Sequence, residues 1–228
     1  MSQITEPVKA RGGDAGDRIA EHIRHDIVSG AIRPGSRIRQ EDLAEQFSAS
    51  RIPVREALHI LESEGLVRIV PNSGAWVATL TLAECEEIYQ MRERLEPLLL
   101  RYSAPLLSHD DIDALAELAT AISDPSITTD DFLVLDRRFH LATYARASTS
   151  LLGDLTRRLW NATAPYRRAY VATWDAESRR IANDEHHLLI AALCDGDIED
   201  AERVLAGHIR RTRRQLAKHP ELFDSTVR

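Results

Sequence analysis

Apolar residues at helical spacing begin the first regular segment of the chain. Ile19, Ile23 and Ile27 lie four residues apart, and Gly30 ends the run. Side chains with this spacing lie on one face of a helix, and glycine is typical of a helix end. The pattern therefore predicts an amphipathic helix over residues 17–29.

The next segment predicts two more helices and a pair of strands. Leu43 and Phe47 lie on the inward side of a short second helix in QEDLAEQF. A third helix follows in SASRIPVREALHILESEGL, where Ser50 is a suitable N-cap and Gly65 closes the helix. LVRIV and AWVATL are typical of strands, and PNSG between them predicts a turn. Three helices followed by a β-hairpin are the plan of a winged helix-turn-helix.

The second half predicts a helical bundle. Seven of the ten glycines precede residue 81, and Thr81 and Glu84 fit a capping box that starts the helical region. Helices are predicted over residues 81–104, 109–122, 129–147, 150–170, 175–194 and 198–217. The predicted fold class is mainly α, with an N-terminal winged helix-turn-helix (three helices plus a β-hairpin) followed by an all-helical antiparallel bundle. The predicted divisions are a flexible tail at 1–15, the winged helix at 16–80 and the bundle at 81–220.

Composition narrows the class of protein. Hydrophobic residues make up 43% of the 228 residues, which is enough for a packed core. There is no apolar run near 18 residues and no apolar signal segment at the start, so we expect a cytoplasmic protein without membrane contact. Cys85 and Cys194 form no disulfide framework. The net charge of −7 means that any DNA contact depends on where individual basic residues lie.

Basic residues occur where a helix-turn-helix would use them. Arg51 and Arg55 lie one turn apart at the start of the third predicted helix. That helix end carries the positive pole of the helix dipole, and in a helix-turn-helix it enters the major groove. Pro53 is tolerated in the first turn. The turn from Asn72 to Gly74 can approach the DNA backbone or minor groove. Two arginines on a helix are also typical of a solvated face, but the surrounding plan favours DNA binding.

A carboxylate and an imidazole lie one helical turn apart in DFLVLDRRFHLATY. Asp136 and His140 would share a helix face with hydrophobic neighbours. A metal site, an acid–base pair or a buried ion pair would each explain the arrangement. His186 and His208 lie in two later amphipathic helices. Facing helices of a bundle commonly supply ligands to one metal, and three histidines with one aspartate suit a divalent ion.

The first half resembles the winged helix of GntR-type bacterial transcription regulators. The resemblance rests on IVSGAIRPGSRIRQEDLAEQFSASRIPVREALHILESEGLVRIVPNSGAWV and covers nearly all of residues 18–78. It implies that Arg51 and Arg55 are the main groove residues. The full set of candidate DNA contacts is Arg39, Ser50, Arg51, Ile52, Pro53, Arg55, Asn72 and Gly74. The chain has Ser48-Ala49 where the family often has Gly-Val, and Ile52 where threonine is common.

The second half resembles the FCD ligand-binding domain of the FadR-like branch of that family. The resemblance covers roughly residues 82–215 and rests on MRERLEP, on LDRRFH and on EHHLLIAALCDGDIEDAERVLAGHI. It implies one divalent metal per chain, with zinc favoured over nickel and manganese. The implied ligands are Asp136, His140, His186 and His208. His187 is the alternative to His186.

Arg92, in MRERLEP, is where the resemblance implies a charge facing the effector. An arginine near a metal suits a small carboxylate. The alternative is a salt bridge to Glu96, four residues further on. The resemblance further implies a homodimer that binds an inverted-repeat operator, with repressor favoured over activator. Residues 81–220 would then bind the effector and form the dimer.

Two other functions are compatible with the same residues. The first is a DNA-binding regulator whose metal is purely structural. The second, more remote, is a metal-dependent enzyme. The chain has no HExxH, GxSxG or P-loop motif, and no residue is marked as a general base. We therefore expect a metabolite-responsive transcription regulator and not an enzyme.

Overall fold

The structure is a computed structural model, and it describes residues 12–71 and 73–223. Within these ranges the chain forms nine α-helices, two short 3-10 helices and one three-stranded antiparallel sheet. The chain divides into two compact units between Thr79 and Leu80. The predicted fold class is confirmed, because a winged helix-turn-helix precedes a mainly helical unit.

The first unit combines three helices with a small sheet. The helices are α1 (Gly12–Val28), α2 (Gln40–Gln46) and α3 (Arg51–Ser63). The strands are β1 (Arg37–Ile38), β2 (Val67–Val70) and β3 (Gly74–Val77), and β3 lies between the other two. The buried faces of α1 and α3 meet in the core, where Ile19, Ile23, Ile27, Leu58 and Leu61 are almost fully enclosed. Burial of each such side chain stabilises the fold by about 1.5–3 kcal/mol.

Two features of this unit differ from the prediction. Strand β1 was not predicted; it pairs Arg37 with Trp76 and Ile38 with Ala75, so the hairpin is part of a three-stranded sheet. Helix α1 begins at Gly12, inside the predicted tail of residues 1–15, of which 1–11 lie outside the described residues. A Cβ at Gly16 would lie 3.2 Å from Cβ of Glu56. This glycine allows α1 to approach α3 closely, so it serves helix packing.

The second unit contains the remaining six described helices. They are α4 (Leu82–Ser103), α5 (His109–Ile122), α6 (Thr129–Thr143), α7 (Ser150–Val171), α8 (Ala176–Cys194) and α9 (Ile198–Leu216). Side-chain caps start most of them, including capping boxes at Thr81 and Ser108. In the part of the chain that the structure describes, no helix is both long enough and apolar enough to cross a membrane.

Helix α6 is shorter than predicted. The sequence predicted a helix over 129–147, whereas the helix ends at Thr143. Tyr144 caps this end with its backbone N–H, and its hydroxyl donates a 2.6 Å hydrogen bond to Glu96 on α4. This contact with α4 forms only in the folded bundle, and helical spacing does not reveal it.

Candidate functional site

Three helices of the second unit bring four potential metal ligands together. Asp136 and His140 lie on α6, His186 lies on α8 and His208 lies on α9. One ligand atom from each residue lies within 4.8 Å of the others. Asp136 and His140 reach the same point because residues four apart share a helix face.

The imidazole nitrogens of this cluster are buried and largely unpartnered. His140 Nδ1 and both ring nitrogens of His186 form no hydrogen bond among the described residues. Burial lowers the pKa of the three cluster histidines, which favours the neutral form with a lone pair for a metal. Buried polar atoms normally have a partner. A metal ion would be such a partner, so the residues present fit a metal.

Asp136 faces the histidines with one carboxylate oxygen and an arginine with the other. Its Oδ1 lies 3.6 Å from His140 Nε2 and 3.5 Å from His186 Nε2. Its Oδ2 lies 3.7 Å from Nη1 of Arg167. Burial alone would raise the pKa of Asp136, but these three neighbours outweigh burial and lower it. The separations exceed a normal hydrogen bond, so direct Asp–His pairing accounts for the cluster poorly.

A carboxylate outside the cluster orients His208. The Nδ1 atom of His208 lies 2.6 Å from Oε2 of Glu185, which also pairs with Arg211. A hydrogen bond at one ring nitrogen fixes the tautomer and leaves the other nitrogen, Nε2, available to a metal. His187, the alternative ligand, is exposed, lies 3.4 Å from Ser123 Oγ and is not part of the cluster.

A narrow cavity adjoins the cluster. Three ligands of the cluster, two arginines and several aromatic side chains line it, among them Arg92, Arg167, Tyr89, Phe132, Trp160 and Trp174. The volume open to the centre of a water molecule in this cavity is about 20 Å³. The cavity therefore holds little more than a water molecule in this conformation.

Arg92 lines this cavity and is also paired within the protein. Its Nε donates to Oε1 of Glu96 at 2.5 Å, and its Nη1 donates to Thr163 Oγ1 at 3.2 Å. Burial opposes the charged guanidinium, but the charges of Glu96 and Tyr89 outweigh burial and raise the pKa of Arg92. Of the two alternatives in the sequence, the structure shows the salt bridge to Glu96. The effector-facing role of Arg92 stays a prediction.

Arg167 is a cavity residue that the sequence analysis missed. Its Nε and Nη1 atoms are buried and form no hydrogen bond within the described ranges. Its guanidinium carbon lies 4.0 Å from the ring centre of Trp160. A signal was present in the sequence, because Thr163, Arg167 and Val171 lie at four-residue intervals on the buried face of α7.

In the first unit, the start of α3 and the wing, which is the hairpin of β2 and β3, line one groove. The groove residues include Gln40, Arg51, Ile52, Arg55, His59 and Gly74. Arg51 and Arg55 are exposed, and Ile52 keeps 68% of its surface accessible. Ser50 is the N-cap of α3, with an extended backbone and no side-chain cap bond. Arginines at the exposed start of a helix are able to bind phosphates or base edges.

The other predicted DNA contacts are placed less directly. Arg39 is exposed at the N-cap of α2, and Pro53 is half-buried in the first turn of α3. Asn72 lies outside the described residues. Gly74 has φ +107°, and Arg37, which the sequence analysis missed, donates to the Ser73 carbonyl oxygen at 3.1 Å. Arg37 lies on the two-residue strand β1, which is too short for a sequence pattern to predict.

Comparison with known proteins decides the family. The family model described as bacterial regulatory proteins, gntR family, matches residues 15–77, and the FCD domain model matches residues 87–211. The HTH-type transcriptional regulator McbR of Escherichia coli (strain K12) is 30% identical over 192 residues, which cover 83% of this chain and 86% of McbR. The chain belongs to the GntR family and carries an FCD domain. It is a DNA-binding transcription regulator and not an enzyme.

Other GntR-family proteins agree with this assignment. The gluconate operon transcriptional repressor of Bacillus subtilis (strain 168) is 32% identical over 161 residues, covering 68% of this chain and 63% of that protein. The solved structure of E. coli McbR/YncC has a TM-score of 0.80 at 26% identity, covering 90% of this chain and 98% of that one. The similarity to McbR thus extends through both units.

Ser48, one of the residues that depart from the common GntR pattern, has an unusual backbone conformation. Ser48, in the turn before α3, has φ +48°. This left-handed conformation suits glycine and costs other L-residues roughly 1–2 kcal/mol. The serine therefore strains the turn of this GntR-family winged helix.

Proposed function

We propose that this regulator is a homodimeric, cytoplasmic repressor that releases operator DNA when a small carboxylate binds at a divalent metal in its FCD domain. Zinc is the first choice of metal, ahead of nickel and manganese. The observation that carries the proposal is the buried cluster of Asp136, His140, His186 and His208, with ligand atoms within 4.8 Å and unpartnered imidazole nitrogens.

The donor set supports a divalent transition metal. Imidazole nitrogens suit zinc, nickel and related ions, and one carboxylate adds a charged ligand. Asp136, His140, His186 and His208 would hold the ion, and Glu185 would keep His208 in the binding tautomer. A bound metal would supply a positive charge that accepts a carboxylate oxygen.

The cavity beside the cluster supports a small acid as the effector. Arg92 lines this cavity and would contribute positive charge to the binding of a carboxylate. Aromatic walls such as Trp160 would exclude water from that contact. The name of the B. subtilis relative, a gluconate operon repressor, supports the choice of repressor over activator.

The DNA-binding half of the proposal rests on the start of α3. Arg51 and Arg55 would enter the major groove, with Ser50, Ile52 and Pro53 beside them and Gly74 in the wing. Arg39 and Asn72 remain secondary candidates. Two copies of the winged helix (residues 16–80) would bind the two halves of an inverted repeat.

An exposed apolar face of α4 supports dimerisation through residues 81–220. Met91, Leu98 and Tyr102 lie at helical spacing on α4 and keep 36%, 40% and 50% of their surfaces exposed. Leu106 continues the face just beyond the helix. A second copy of the chain would cover this face through a two-fold axis.

A double variant tests the proposal. Operator sequences are first selected from random DNA with the purified wild-type chain. The His186→Ala, His208→Ala variant should then lose metal and any response to added carboxylates, while it still binds operator. His187→Ala is the matched control and should behave as wild type. Full metal occupancy in the double variant would overturn the ligand assignment.

The same measurements separate the second candidate function, a purely structural metal. The reason to keep that candidate is that Arg92 is already paired with Glu96. If the double variant loses metal and stability, but no carboxylate changes operator binding by the wild type, the metal is structural.

A further inference from the structure

Arg167 stands out among the arginines of the cavity because its donors are not satisfied. The side chain keeps only 9% of its surface exposed, and its Nε and Nη1 atoms form no hydrogen bond among the described residues. Its ion-pair partner, Oδ2 of Asp136, lies 3.7 Å from Nη1, beyond normal hydrogen-bond distance. A buried guanidinium with unused donors is costly unless something binds it.

Arg92 provides the contrast within the same cavity. Its guanidinium donates a 2.5 Å hydrogen bond to Glu96 and a second hydrogen bond to Thr163, so these donors are already used within the protein. Both guanidinium groups pack over Trp160, at 4.2 Å for Arg92 and 4.0 Å for Arg167. Both arginines thus contact the same ring, but Arg167 has donors left for a ligand.

Charge balance gives the class of that ligand. Glu96 balances the charge of Arg92, Asp136 balances the charge of Arg167, and an imidazole that binds a metal is neutral. A divalent metal bound by Asp136 adds two positive charges to this balanced set. A single carboxylate leaves one positive charge uncompensated in a buried site, whereas a dianion compensates both.

We infer that the effector is a short dicarboxylate, and that Arg167 binds its second carboxylate. The inference rests on the proposed function, in which the first carboxylate is bound at the metal. The dicarboxylate must be short, because the single carboxylate of Asp136 already reaches from the histidine nitrogens to Arg167, at 3.5 Å and 3.7 Å. The second carboxylate of the ligand must therefore lie close to the first carboxylate.

The test compares acids of equal chain length on the metal-loaded full chain. Succinate and butyrate, and malonate and propionate, are titrated by calorimetry into the wild type, Arg167→Gln and Arg167→Lys. We expect the wild type to bind at least one dicarboxylate 10-fold or more tightly than its monocarboxylate partner. Arg167→Gln should lose that preference while its affinity for the monocarboxylate changes less than twofold. Arg167→Lys should keep part of the preference.

Arg168→Gln is the matched control, because Arg168 is the next residue on α7 and pairs with Asp130 instead of lining the cavity. It should retain the wild-type preference. Metal content is measured for every variant and should be unchanged.

The outcomes distinguish the two proposals. If the wild type holds metal and binds mono- and dicarboxylates equally, the dicarboxylate inference is wrong and the proposed function stands. An unchanged preference in Arg167→Gln would likewise overturn the role of Arg167. If the wild type holds no metal, or binds none of the four acids, the proposed function fails and the inference fails with it. The wild-type comparison needs no variant, so it remains decisive even if Arg167→Gln does not fold.

Discussion

Glu185 places a carboxylate oxygen 2.6 Å from Nδ1 of His208, although the two residues lie on different helices, α8 and α9. The contact joins a cluster residue to a partner outside the cluster. Carboxylates in this position raise the basicity of a ligand imidazole and fix its ring orientation. Although such a carboxylate makes few contacts, its loss usually weakens metal binding strongly.

Replacement of Glu185 by glutamine should weaken metal binding by about 10-fold or more, because the carboxylate charge that favours the binding tautomer of His208 is lost. The measurement is a competition titration against a chelator of known affinity. Asp184→Asn is the control, since Asp184 pairs with Arg180 on the surface. Equal metal affinity in the wild type and Glu185→Gln would show that the contact does not support the metal.

Arg55→Ala should reduce operator affinity by about 1–3 kcal/mol, because an arginine at the start of a recognition helix can bind guanine through two hydrogen bonds. Binding is measured at fixed salt with selected operator DNA. Arg158→Ala is the control, because it removes the same charge from an exposed position in the other unit. A variant with both Arg51→Ala and Arg55→Ala that binds normally would contradict the assigned surface.

Ser48→Gly should raise the free energy of unfolding of the winged helix by about 0.5–1 kcal/mol. Glycine removes the strain of φ +48°, and its greater freedom in the unfolded chain offsets part of the gain. Urea denaturation of both proteins gives the difference. Ala49→Gly, one residue later and without a positive φ, should destabilise. A Ser48→Gly protein that is less stable than wild type would be inconsistent with strain in this turn.

The two cysteines should differ sharply in thiol reactivity. Burial raises the pKa of Cys85 to about 12, so almost none of its thiolate is present at pH 8, whereas Cys194 is exposed. A thiol reagent at pH 8 should label one site per folded chain, and Cys194→Ser should abolish that labelling. In denaturant the wild type should show two sites. Rapid labelling of folded Cys194→Ser would mean that the helix around Cys85 opens readily.

Local patterns in the sequence predicted most helices well, because their signals are local. The isoleucines of α1 and the capping box at Thr81 lie within the elements they define. The end of α6 was misplaced; Tyr144, just beyond it, contacts Glu96, which is 48 residues away and therefore invisible to a local pattern. Strand β1 was missed for a similar reason, since two residues become a strand only when β3 pairs with them.

In the candidate site, too, local patterns were visible in the sequence and contacts between distant residues were not. The four-residue spacing of Asp136 and His140 made that pair visible, and His186 and His208 were found as further histidines on apolar helix faces. Arg167 was missed because arginine is normally a surface residue, and its burial over Trp160 is a property of the packed bundle. Glu185 could not be recognised as the partner of His208 until α8 and α9 were packed together.

The cavity beside Trp160 admits little more than a water molecule, so the acid of the proposed function could enter only after side chains of the wall had moved. Association should then be slower than diffusional encounter, and its rate should level off at high ligand concentration at the rate of wall opening. Slow opening of the wall would therefore make the response depend on how long the ligand is present. Under the proposed function, a pulse of metabolite shorter than the opening time would leave the regulator bound to its operator. Only a sustained supply would release it.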